Sequence, residues 1–77
     1  MITLPKVSII NSWDLRYFGM RENRKVWYSD IHKHYYTWDS LHGEFEVFNS
    51  RGWHLGSIEP TNGSYLKDAV KGRKLNV

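Results

Sequence analysis

From Tyr35 to Phe48 apolar and polar residues alternate, with one interruption. Tyr36, Trp38, Phe45 and Val47 fall on one set of alternate positions, and Thr37, Asp39, Glu44 and Glu46 fall on the other, on either side of Ser40-Leu41-His42-Gly43. A period of two marks a half-buried strand, and the aromatic and β-branched residues agree with it. The spacing of Asp39, His42 and Glu46 would also suit one face of a helix, but Gly43 sits in the middle and the flanks favour strands. The pattern predicts a hairpin with a four-residue loop in which Gly43 takes the positive-φ position. It pairs Asp39 with Glu44, Trp38 with Phe45, Thr37 with Glu46 and Tyr36 with Val47. Tyr36, Trp38, Phe45 and Val47 then enter a core, while Thr37, Asp39, Glu44 and Glu46 share a wet face below His42.

Further along, turn residues recur at Ser29-Asp30, Ser50 to Gly52 and Pro60 to Gly63, the rhythm of a meander of short antiparallel strands. A three-residue loop Ser50-Arg51-Gly52 predicts pairing of Val47 with Leu55, Phe48 with His54 and Glu46 with Gly56. Leu55 and Trp53 would join the core, and Gly56 would leave room beside Glu46 for a ligand, or else mark a bulge. Near the start, Pro5 excludes an early helix, and Asn11 or Ser12 is a candidate cap for a short helical turn through Trp13, Leu15, Tyr17 and Phe18 that ends at Gly19. The expected fold is mainly β (α+β): one domain over 1–77, with a short helical N-terminal segment in 1–22 and a small antiparallel sheet in 23–77.

Composition sharpens this picture. A 77-residue chain must build an efficient core, and four Trp, five Tyr and three Phe supply the bulk for one. The absence of cysteine excludes disulfides and thiolate metal sites. The N-terminus lacks the charged start and long apolar run of a secretory signal, and no stretch approaches the roughly 20 apolar residues of a membrane span. A soluble chain is expected. Eleven basic residues against eight acidic ones give a formal charge of +3. Arg16, Arg21, Arg24, Lys25 and Lys33 precede the acidic hairpin, and Lys67, Lys71, Arg73 and Lys74 follow it. Cationic ends around an acidic centre suit a polyanion gripped by its backbone while one linkage is worked on, although ordinary solubilising charge has the same composition.

The hairpin holds the candidate chemistry. Like charges on one face repel, so at least one carboxyl should titrate high, and a raised carboxyl beside a histidine suits acid–base work. A merely solvated acidic face is the plainer alternative. His32, His34 and His54 could form a zinc site, but nothing in the spacing fixes the third ligand. No phosphate-cradling glycine loop, nucleophile elbow or Cys/His pattern is present, so neither metal nor cofactor is expected.

From Trp27 to Arg73 the sequence resembles the C-terminal ribonuclease domain of cloacin and the ribosome-inactivating E-group colicins. The resemblance rests on Trp27 and Asp30, on Y-x-W-D-S-x-H-G-E-x-E from Tyr36 to Glu46, on H-L-G-S from His54 to Ser57, on P-x-x-G from Pro60 to Gly63, on Leu66-Lys67 and on Arg73 in a basic tail. It implies a strongly twisted antiparallel sheet and a metal-independent endoribonuclease that cuts 16S ribosomal RNA in the decoding centre. Position by position, it makes Asp39, His42, Glu46 and Arg73 the active-site group, supported by Glu44, Tyr36 and His54. Lys25, Lys33, Lys67, Lys71 and Lys74 would contact RNA. Its implied partners are the small ribosomal subunit and an acidic immunity protein, and its implied setting is a monomeric toxin module, made in the bacterial cytoplasm as the C-terminal part of a larger chain and acting in the target cell. The loop at Asn49 to Gly52 is one residue shorter than in that family, and residues 1–22 align with none of it.

Two other readings stand beside this one. One is a ribonuclease with another target, such as tRNA. The other is a non-catalytic RNA-binding β-module that stacks bases on Tyr35, Phe48 and His54. Three acids in the groove argue against a pure polyanion binder.

Overall fold

A computed structural model describes all 77 residues. One four-residue helix, α1 (Ile9–Ser12), precedes six strands: β1 (Arg16–Arg21), β2 (Arg24–Ser29), β3 (His34–Asp39), β4 (Glu44–Phe48), β5 (His54–Ile58) and β6 (Tyr65–Asp68). They form a single antiparallel sheet in sequence order, a meander in which each strand pairs with the next. No helix is long and apolar enough to cross a membrane.

The central hairpin has the predicted register throughout: Asp39 opposite Glu44, Trp38 opposite Phe45, Thr37 opposite Glu46 and Tyr36 opposite Val47. Gly43 closes the loop at φ +68°. The second hairpin keeps the predicted pair of Phe48 with His54 but shifts beyond it, so that Val47 faces Gly56 and Glu46 faces Ser57. Leu55 is the extra residue of this bulge. The reason lies at Gly56, whose φ is +140° and where a Cβ would strike the Lys67 carbonyl of β6. Gly56 is therefore a close-approach point between strands and not a space beside Glu46. Trp53 is exposed rather than in the core, its ring lying under Lys74, whose Nζ is 5.2 Å from the ring centroid.

The N-terminal expectation needs a larger correction. The helical turn starts earlier, capped by Ser8, whose Oγ accepts a hydrogen bond from the Ile10 N–H. Tyr17 and Phe18 belong to β1, so the sheet begins at Arg16. Glu22 and Asn23 both adopt positive φ (52° and 65°) and make the two-residue turn from β1 to β2. Two positive φ values match the twist of a hairpin, but Glu-Asn lacks the glycine that usually signals such a turn.

The sheet is covered on both faces. On one, Ile9, Leu15, Trp27, Tyr36, Phe45, Val47 and Ile58 form the main core, sealed by the N-terminal segment. The Ile2 N–H donates to the Ser40 carbonyl, Trp38 Nε1 donates to the Ile2 carbonyl, and the Ile9 N–H donates to the Pro60 carbonyl. On the other face a smaller cluster of Val26, Phe48 and Leu75 anchors the C-terminal segment, which crosses the sheet by bonds from the His54 N–H to the Arg73 carbonyl and from the Leu75 N–H to the Gly52 carbonyl. That crossing shapes the site.

Candidate active site

Strand alternation sends Thr37 and Asp39 of β3, Glu44 and Glu46 of β4, and His54 and Ser57 of β5 to the face that the C-terminal segment crosses. Together with Lys67, Arg73, Lys74, Arg21 and Arg24 they line an open cleft of about 580 Å³. The acidic face was expected to be wet. Instead Asp39, Glu44 and Glu46 retain 9%, 4% and 5% of their exposure, because the basic tail folds over them. Carboxylates buried this far need partners, and each has its own.

Asp39 Oδ2 lies 2.8 Å from His42 Nδ1, and its Oδ1 accepts from the backbone N–H groups of Leu41 (3.0 Å) and His42 (3.3 Å). Burial pushes the Asp39 carboxyl up, but the His42 ring and these two N–H groups outweigh it and hold the carboxyl below its ordinary value. The expected rise in a carboxyl is thus not found at Asp39. An ionised Asp39 only accepts, so the His42 proton sits on Nδ1 and Nε2 is left for other partners; the His42 side chain is about half exposed.

Glu44 Oε1 accepts from Lys67 Nζ at 2.7 Å. Glu46 Oε1 takes two donors, His54 Nε2 at 2.9 Å and Arg73 Nη1 at 2.6 Å, while its Oε2 accepts none and is not sealed from the cleft. His54 is pinned from its other side, where the Val70 N–H donates to Nδ1 at 2.8 Å. A ring that accepts at Nδ1 and faces a carboxylate at Nε2 carries its proton on Nε2. His54 is therefore a fixed donor that ties Glu46 to the backbone of the tail. Thr37 and Ser57 stand on either side of Glu46 across the sheet, and their buried hydroxyls have no partner, a cost of about 1–3 kcal/mol each that concentrates beside this one carboxylate.

Asp39, His42, Glu46 and Arg73 thus come together in one cleft with Glu44 and His54. Tyr36 does not join them. It lies on the core face against Trp13, and burial, with Tyr65 nearby, pushes its hydroxyl up to about 12. Of the five lysines, Lys67 and Lys74 line the cleft and Lys71 is exposed on the tail outside its lining. Lys25 borders a different hollow with Trp27 and Trp38, and Lys33 is in the β2–β3 turn at φ +59°. The alternation of β2 explains the difference, since it places Arg24, not Lys25, on the cleft face, and β1 adds Arg21.

His32 and His34 stack on each other beside Trp13 and Tyr36, on the face away from His54, so the three histidines form no common site. Of the alternative stacking surface, Phe48 and His54 are buried and only Tyr35 remains partly open. Residues missed in the sequence are those the tail brings in: the Val70 N–H, and Lys67 as the specific partner of Glu44.

Comparison with known proteins gives a consistent result. Over 45 residues the chain is 51% identical to colicin E6, 49% identical to colicin E3 and 44% identical to cloacin, all from Escherichia coli. Each alignment covers 57% of this chain and 8% of the relative, so the chain corresponds to a small part of those proteins. The model of the Cytotoxic family matches residues 17–76, which takes in all of β1 but Arg16, and the whole cleft, and the chain belongs to that family, the cytotoxic domain shared with these colicins and cloacin.

Proposed function

We propose that this chain is the ribonuclease module of a bacterial toxin and cuts 16S ribosomal RNA in the decoding centre, using the RNA's own 2′-OH as nucleophile. The observation that carries the reading is the state of Glu46: it lines the cleft with Oε1 held by His54 and Arg73, Oε2 has no protein donor, and a half-exposed histidine lines the same cleft. Glu46 Oε2 takes the 2′-OH proton. The freed oxygen bonds to the adjacent phosphorus, and the P–O5′ bond breaks as His42, entering the step doubly protonated, passes its Nε2 proton to the departing oxygen and keeps the one on Nδ1. Asp39, held ionised, is unsuited to be the acid; it orients His42 and stabilises it when protonated. Arg73, half exposed and bonded to Glu46, stands beside the base, and its guanidinium matches the charge that builds up on the phosphoryl oxygens. The products are a 2′,3′-cyclic phosphate and a 5′-hydroxyl, and proton exchange with water resets Glu46 and His42. Acid–base assistance supplies roughly 10²- to 10⁴-fold, so docking on the ribosome supplies much of the rest.

Incubating the protein with ribosomes and with total RNA in EDTA, then mapping the ends, tests this. One cut in 16S RNA with cyclic-phosphate ends is expected, and a site with a 2′-deoxy ribose should be spared; full cleavage of that site would sink the mechanism. EDTA also decides a second reading, since Asp39, His42 and Glu44 each present a ligand atom within 4.8 Å of the others, close enough for one cation. Metal-independent cleavage is the expected result, with the Lys67 ammonium providing the positive charge at Glu44. The basic surface further calls for a separate acidic immunity protein that blocks ribosome access in the producing cell. Its association rate should fall with salt, and salt-insensitive association would count against it.

A further inference from the structure

A ladder of aromatic and guanidinium groups occupies the cleft-side face of β1, β2 and β3, outside the catalytic cluster. Tyr28 and Tyr35 are cross-strand partners with ring centroids 4.7 Å apart, and Phe18 meets Tyr35 edge-on at 5.0 Å. Arginines cap both ends. Arg16 lies 5.3 Å over Tyr28, held there by two bonds to Asp30 (2.8 and 3.0 Å), and Arg21 lies 5.0 Å over Phe18. A bulge between Tyr17 and Gly19 makes this arrangement possible. It shifts the alternation of β1 so that Arg16 before it, the bulged Phe18 itself, and Arg21 after it all face the cleft side.

The main aromatic core of the domain is on the other face of the sheet, and the ladder is only partly covered: Phe18 is exposed, and Tyr28 and Tyr35 are half-buried, Tyr35 against the Val26–Phe48–Leu75 cluster. Cross-strand packing accounts for the Tyr28–Tyr35 pair. It does not account for an exposed phenylalanine under an arginine that has no acidic partner. Arg21 links the ladder to the cleft, since it lines the cleft and lies over Phe18. Arg24 lines the cleft as well, and neither arginine forms a salt bridge. Leu75, packed on Val26 and Phe48 beside Tyr35, stands between the rings and the carboxylates. Tyr35 is two residues along β3 from Thr37, the cross-strand partner of Glu46, so it stands roughly 7 Å along and 5 Å across from the proposed base. A nucleic-acid strand leaving the cleft would cross Arg24 and Arg21 and reach the rings within a few nucleotides.

The geometry points to a nucleobase-stacking subsite: Phe18, Tyr28 and Tyr35 take unpaired bases of the substrate RNA next to the cut, while Arg21 and Arg24 hold the intervening phosphates. This rests on the ribonuclease reading for its ligand. Stacking on aromatic faces tolerates any base, so the subsite selects single-stranded RNA over duplex and does not select sequence.

The test uses the full chain carrying Glu46→Gln and a short fluorescein-labelled RNA with 2′-O-methyl at every ribose, and reads affinity by anisotropy. Phe18→Ala and Tyr35→Ala should each weaken binding roughly tenfold, whereas Phe18→Tyr and Tyr35→Phe, which keep a ring, should bind as the parent does. Inorganic polyphosphate, a polyanion without bases, should compete equally well against all of them. Phe18 is on an exposed edge strand, so its variants report even if Tyr35→Ala unfolds. Unchanged RNA affinity in Phe18→Ala would overturn the proposal and leave the ladder to a protein partner, and a parallel loss of polyphosphate affinity would overturn it too. With Glu46 restored, Phe18→Ala should raise KM for RNA while kcat holds. Cleavage with unchanged KM removes the subsite but not the ribonuclease; ring-dependent binding without any cleavage by the wild type does the reverse.

Discussion

His54 offers a sharp test of how the tail and the catalytic carboxylate are coupled, because its two nitrogens do separable work. Nε2 donates to buried Glu46, and Nδ1 accepts from the Val70 backbone. His54→Gln can place an amide N–H near the Nε2 position and keep the bond to Glu46. His54→Asn can place a carbonyl near Nδ1 and keep only the bond to Val70. A hydrogen bond to a charged group contributes about 1.5–3 kcal/mol and a neutral one about 0.5–1.5 kcal/mol. The Glu46 side chain is only 7% exposed, so the upper part of the first range applies, whereas Val70 is exposed and water can replace its partner. His54→Asn should therefore cost about 2–3 kcal/mol and His54→Gln about 1 kcal/mol. For a domain of this size those losses lower Tm by about 8–24 °C and about 4–8 °C, respectively, in a calorimetric or circular-dichroism melt. RNA cleavage should follow the same order, Gln above Asn. Equal melting points, or a more stable Asn variant, would mean that His54 serves the tail and not Glu46.

Two more outcomes follow from the packing. Tyr36 is neutral in the core and its hydroxyl is pushed up to about 12, while an unfolded tyrosine ionises near 10. Its contribution is thus complete below pH 10 and falls as pH rises from 10 to about 12, by about 2–3 kcal/mol; denaturant titrations of Tyr36→Phe should lack that fall, and an unchanged alkaline slope would refute the assignment. Trp38 was expected in the core and packs against it but is only partly covered, whereas Phe45 beneath it is wholly enclosed. Phe45→Ala should cost about 3–5 kcal/mol and Trp38→Ala distinctly less, as measured by urea unfolding; the opposite order would contradict the placement of the core.

The parts of this molecule that were legible beforehand are those in which one residue type has one consequence. The register of the central hairpin followed from alternation alone, since a shift by a single residue would have put Asp39, Glu44 and Glu46 into the apolar core and Tyr36, Phe45 and Val47 outside it. The same alternation runs through β2 and puts Arg24 on the cleft face and Lys25 on the other, but the expectation of Lys25 as an RNA contact rested on charge, which does not distinguish them. Illegible parts depended on contacts distant in sequence. The bulge at Leu55 exists because Gly56 must clear the Lys67 carbonyl, and β1 forms because Glu22 and Asn23 accept positive φ without a glycine to announce it. Most consequential is the tail. Read locally, Lys67 to Lys74 is a solvated basic segment, but Leu75 anchors against Val26 and Phe48, and that apolar contact pulls the preceding cations over the acidic face. The carboxylates lose water only because the cations arrive with them. Burial of Glu46 and provision of its partners are therefore one folding event, and a change that frees Leu75 should open the cleft and dismantle the site together.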